Sequence, residues 1–126
     1  MSRLTPFERK TQYAALAFFL AGCALVALLQ FTIGLYFTSH YFVAHFLLGL
    51  FLPFLIYSFG GSDWAFWIGI SLTAAFHFGY EFWEDQLDRN PHVYDWAQIA
   101  SGALGMVAAY AVFCAWRRWG NRPSDA

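Results

Sequence analysis

The chain has 126 residues, of which 60% are hydrophobic and only 12% charged, too little charge to cover the surface of a soluble domain of this size. The net charge is −1 and the seven Lys and Arg form no single patch, so the charge distribution speaks against a nucleic-acid partner. Cys23 and Cys114 both lie in apolar runs, which argues against a disulfide framework and for two small hydrophobes.

Arg3, Arg9 and Lys10 resemble the basic start of a secretory signal. The apolar stretch that follows is much longer than the roughly 7–15 residues of a signal core, and no small-residue cleavage site closes it, so it is expected to stay as a helix. Thr5-Pro6-Phe7-Glu8 carries the pattern of an N-cap, an N1 proline and a capping-box glutamate, which starts this helix ahead of its apolar part. Four apolar segments follow one another at about 13–37, 41–59, 64–83 and 95–116. Each is near the ~20 residues that cross ~30 Å of hydrocarbon. The expected fold is therefore all-α, one domain, an integral membrane bundle of four transmembrane helices.

The connections carry helix punctuation. Ser39 can cap the second helix, and Gly60-Gly61-Ser62-Asp63 reads as a tight turn with Ser62 or Asp63 capping the third. Asn90-Pro91 can start the fourth about one turn before Asp95. Arg3, Arg9 and Lys10 precede the first span, Arg117, Arg118 and Arg122 follow the last, and only Arg89 lies elsewhere. The positive-inside rule then places both termini in the cytoplasm. Tyr36, Tyr41, Trp83, Tyr94 and Trp96 fall at the outer interface, and Tyr57, Trp64, Trp67, Trp116 and Trp119 at the inner one. Ser101, Gly105 and Ala109, at every fourth residue, form a small face on the fourth helix, while Gly69 and Thr73 lead toward His77 on the third.

The stretch 77–98 concentrates the polar chemistry, with five of the eight acidic residues: Glu81, Glu84, Asp85, Asp88 and Asp95. If the third helix continues past Trp83, then His77, Glu81, Glu84 and Asp88 share one face, and Asp95, Gln98 and Gly102 share a face of the fourth. His45, about one turn into the second helix, has a matching depth. An ionisable group at that depth faces the bundle interior or a wet cavity. The candidate ligand-binding set is His45, His77, Glu81, Glu84, Arg89, Asp95 and Gln98, converging on an outward-facing pocket.

Four readings of that pocket compete. It can be a satisfied polar plug that locks helix ends together. It can recognise a polar lipid headgroup or an ion. His and carboxylate at i, i+4 can chelate a metal, and His45 with His77 can hold a b-type haem. No HExxH, paired ExxH, CxxC, CxxCH, GxSxG, Walker or dinucleotide motif is present, so neither a metal nor a cofactor nor a catalytic residue is assigned. His40 and His92 read as loop residues.

The same stretch resembles the VanZ-like family of small bacterial membrane proteins. There an acidic residue ends one transmembrane helix, an arginine lies in the next loop, and an aspartate opens the following helix ahead of a small-residue face. Glu81, Arg89, Asp95 and Gly102 match, and His45 resembles a further family position. Glu84 stands where a glutamine is common, Ile99 where an asparagine is usual, and the second glycine is displaced to Gly105. The resemblance spans about residues 40–118. It implies a cell-envelope protein of the bacterial plasma membrane, in a family with members associated with glycopeptide-antibiotic tolerance, and it implies no reaction or cofactor.

The expectation is a non-enzymatic membrane protein whose outer His/carboxylate pocket binds a polar headgroup or an ion. An accessory subunit of a larger membrane complex, and a metal-dependent membrane enzyme using His77 and Glu81, are the alternatives. Membrane lipids and other membrane subunits are the partners in view. The topology is directly testable: a reporter fused after Ala126 should read cytoplasmic, and a cysteine at position 88 should label from outside. Outside labelling at the C-terminus would reverse the orientation.

Overall fold

The computed structural model describes residues 3–35, 41–87 and 96–120, with backbone alone at 84–87. They form four helices: α1 (Pro6–Thr32), α2 (Tyr41–Gly60), α3 (Asp63–Leu87) and α4 (Trp96–Gly120). Among the described residues three of these, α1, α2 and α4, are long and apolar enough to cross a membrane. At 25 residues α3 has the length, but Ser71, Thr73, His77, Glu81 and its Trp and Tyr residues dilute its apolar character. Thr73, His77 and Glu81 are buried against the other helices. The low apolar content of α3 thus comes in part from polar groups on its protein-facing side.

Local chemistry sets the helix ends. Thr5 Oγ1 accepts from the Glu8 N–H at 3.1 Å and Glu8 Oε2 accepts from the Thr5 N–H at 2.7 Å, which is the capping box in full. The far end of α1 falls at Thr32, five residues short of the expected position 37. Gly34 takes φ +72°, and the N–H groups of Ile33 and Gly34 both donate to the Leu29 carbonyl, at 2.9 and 3.0 Å. A left-handed glycine of this kind ends a helix because only it adopts that backbone without a Cβ clash. Gly61, also at φ +72°, makes the turn from α2 into α3, and its N–H donates to the Tyr57 carbonyl at 2.8 Å. Ser62 caps α3 through a long contact from the Ala65 N–H, 3.4 Å. Ser39, Asn90 and Pro91 lie outside the described residues.

Packing centres on α2, which touches all three other helices. Its closest neighbour is α4, and glycines make that possible. A Cβ on Gly49 would overlap the Gly102 carbonyl, and one on Gly105 would overlap the Phe46 carbonyl. The two backbones therefore meet directly. Ser101 Oγ donates to the Phe42 carbonyl across the same seam. The small face of Ser101, Gly105 and Ala109 is buried here as expected, while Gly49, its counterpart on α2, is an addition from the structure. Gly69 plays the same part between α3 and the Pro53 carbonyl of α2.

One end of the bundle gathers the start of α1, the Gly61 turn and the end of α4. Trp116 Nε1 donates to Thr11 Oγ1 at 2.8 Å, Gln12 Nε2 to the Phe59 carbonyl at 2.8 Å, and Lys10 Nζ lies 4.0 Å over the Trp119 ring. Arg117 pairs with Asp63 at 3.0 Å on the exposed surface, an interaction of small energetic weight. Next to this end is an aromatic core in which Phe66 stacks on Phe113 at 4.0 Å and Tyr57 packs edge-on against Phe54, Phe66 and Phe113. Tyr57, expected as an interfacial ring, is only 2% exposed and belongs to this core. Trp64 and Trp119, read as interfacial rings, are exposed, and Cys23, read as a small core hydrophobe, is exposed too.

The glycine seam makes a definite prediction. Gly105→Leu should separate α2 from α4, because the added side chain meets backbone that cannot move aside. The cost should be about 1–3 kcal/mol or more, seen as a lower unfolding midpoint in detergent. A variant as stable as the parent would mean that the seam does not carry the fold.

Candidate functional site

Three helices build the site, in the half of the bundle away from the basic end. α3 supplies His77 and Glu81, one turn apart on one face, as the i, i+4 spacing requires. α2 supplies His45 one turn after Tyr41. α4 supplies the wall, since Gly102 has no side chain and lets the His77 ring sit against its backbone. A methyl group at position 102 would overlap that ring.

The geometry is close. His45 Nε2 lies 3.0 Å from Glu81 Oε1. The imidazole rings of His45 and His77 have centroids 5.2 Å apart, tilted by 59°. One donor atom from each of His45, His77 and Glu81 falls within 4.8 Å of the others. Glu81 is 0% and His77 1% exposed, while His45 is partly buried. On its other side the His77 ring turns Nε2 toward the Ile99 carbonyl of α4 at 3.4 Å. With the proton on Nε2, the lone pair of His77 is on Nδ1. The Ile99 carbonyl thus selects the tautomer in the way an outer-shell acceptor does.

Of the seven candidate residues, the structure brings together His45, His77 and Glu81. Gln98 lies on α4 beside Ile99, partly buried, and Glu84 continues α3 one turn nearly beyond Glu81. The Glu84 side chain, Arg89 and Asp95 lie outside the described residues, as do His40 and His92. The expected facing of α3 onto the α4 face bearing Gly102 holds at His77. Ile99 and Gly49 were not among the candidates. Ile99 contributes a carbonyl, which no side-chain pattern reveals, and Gly49 was legible only through its i, i+4 relation to His45.

The arrangement narrows the chemistry. A haem bridging the two histidines needs a flat slot between their rings, and the His77 Nε2 edge is instead packed on Gly102 and Ile99. An anionic phosphate headgroup would meet the Glu81 carboxylate, a like charge inside a low-dielectric bundle. A cation meets a carboxylate oxygen and two imidazole nitrogens. Comparison with protein-family models, with curated proteins and with solved structures gives no match for this chain.

Gly102→Ala should push the His77 ring away from α4 and open the cluster. The histidine side-chain NMR signals of His77 should shift, with a stability loss of about 1 kcal/mol, at the low end for overpacking because a ring moves and not a backbone. Unchanged His77 signals would show that Gly102 does not position the ring.

Proposed function

We propose that this chain is a four-span protein of the bacterial plasma membrane, with cytoplasmic termini, that binds a cation through His45, His77 and Glu81 in the outer half of the bundle. The observation that carries the reading is the 3.0 Å approach of His45 to a fully buried Glu81, with His77 completing a group of donors within 4.8 Å. A carboxylate in hydrocarbon costs a few kcal/mol on insertion scales, and such groups mark ion pathways and ligand sites. A compact set of donors encloses one ion more readily than a many-atom headgroup.

Several features support the topology. Arg9, Lys10, Arg117 and Arg118 lie at one end of the bundle and the His/Glu cluster in the other half, which is the positive-inside arrangement. As a fourth span, α3 buries its polar residues against α2 and α4, as membrane helices do. The resemblance to VanZ-like proteins points to the cell envelope. Membrane lipids are the natural cover for the apolar groove of about 520 Å³ between α1 and α2, lined by Phe19, Gly22, Val26, Leu47 and Phe51 among others.

The reading is tested by thermal unfolding of the purified protein in detergent across a series of added cations. A bound cation at 100 times its Kd should stabilise by about 2.7 kcal/mol, and Glu81→Gln, which keeps shape and removes charge, should abolish that response. A parent protein indifferent to every cation, or a Glu81→Gln variant that responds equally, would remove this function and leave a structural plug.

A further inference from the structure

We infer that the cation is a divalent transition metal of the zinc and iron class, held by His45, His77 and Glu81. This rests on the cation-binding reading above and adds the class of ion.

The donor set is the first ground. Calcium takes six to eight oxygens, and magnesium demands an octahedral oxygen shell. The cluster offers one carboxylate and two imidazoles. Imidazole nitrogen is a borderline donor that suits Zn, Fe, Cu and Ni, and two of them with a carboxylate select such ions over Mg and Ca.

Distances are the second ground. Bonds of about 2.0–2.2 Å to a tetrahedral ion put ligand atoms roughly 3.4 Å apart. His45 and Glu81 already stand at 3.0 Å, and the full set lies within 4.8 Å. Seating an ion there parts the His45–Glu81 pair slightly and draws any wider-set donor inward.

The surroundings are the third. Ligating histidines commonly donate their second ring N–H to a backbone carbonyl, and His77 has the Ile99 carbonyl beside Nε2 at 3.4 Å. Gly102 keeps that edge of the ring against α4, so the free nitrogen is aimed away from α4. Glu81 is locked by burial and by its place one turn after His77.

Among the described residues the cluster has these three ligands.

The experiment uses the full chain in detergent, stripped with a chelator. Co²⁺ and Zn²⁺ are titrated in turn, with Mg²⁺ and Ca²⁺ as comparison, following both the unfolding midpoint and the visible absorption of bound Co²⁺. The expected result is one Co²⁺ per chain with visible ligand-field bands, displaced by Zn²⁺. Separate His45→Ala, His77→Ala and Glu81→Gln variants should each weaken Co²⁺ binding roughly 100-fold or more, beyond the ~10–100-fold that outer-shell partners supply. Cys114→Ser, remote from the cluster, should bind as the parent does, which guards against a general loss of fold. Stabilisation by Mg²⁺ or Ca²⁺ without Co²⁺ or Zn²⁺ would overturn the metal class while leaving cation binding intact. Indifference to all four ions would overturn both.

Discussion

The contact on which the rest depends is the meeting of the α2 and α4 backbones at Gly49, Gly102 and Gly105. In lipid there is no hydrophobic force pulling helices together, because the surroundings are as apolar as the side chains. Close backbone approach replaces it with dispersion and with hydrogen bonds such as Ser101 to Phe42. Once α4 lies in the groove of α2, the Gly102 surface comes within reach of α3 and His77 fits against it. The same helix α2 carries His45 and packs on α3. One seam of small residues therefore sets the distances among three clustered polar side chains that do not lie on it.

The polar cluster is a burden on stability that the seam must support. Fully buried ion pairs often gain little over apolar packing, since the desolvation of each partner offsets their attraction. Glu81 is fully buried, and its imidazole neighbour is on another helix, so the pair holds only while α2 and α3 keep their register. A buried carboxylate held at such cost is a reason to look for a ligand. At the other end stability is sought differently. Phe66 on Phe113, Tyr57 and Phe54 form a dense apolar core, and Trp116 on Thr11 ties α1 to α4. The molecule thus divides its two halves between a rigid aromatic base and a polar site.

Much of this was legible in the residues because membrane helices obey few rules. The capping box at Thr5 and Glu8, the 60–63 turn, the small face on α4 and the shared face of His77 and Glu81 all follow from periodicity and local chemistry. Depth alone paired His45 with His77, since residues at equal height on adjacent helices can meet. Other features depend on partners that one segment does not show. Gly34 ends α1 early, yet in the sequence it is one glycine inside a long apolar run. Tyr57 was read by the height of its hydroxyl, and its burial depends on Phe66 and Phe113 from two other helices. The Ile99 carbonyl beside His77 belongs to a backbone and leaves no trace in residue type.

The three-helix origin of the cluster bears on how it responds to helix packing. His77 and Glu81 move together, being one turn apart on a single helix, whereas His45 moves with α2. A sub-ångström slide of α2 against α3 would alter the His45 to Glu81 distance and leave the His77 to Glu81 distance almost unchanged. Direct backbone contact at Gly49 couples α2 more tightly to α4, the helix that holds the other side of the His77 ring. Any displacement of α2 therefore reaches the cluster twice, through His45 and through the wall behind His77. A cluster assembled in this way is sensitive to helix packing at His45 and stiff at the His77–Glu81 pair, which one helix holds.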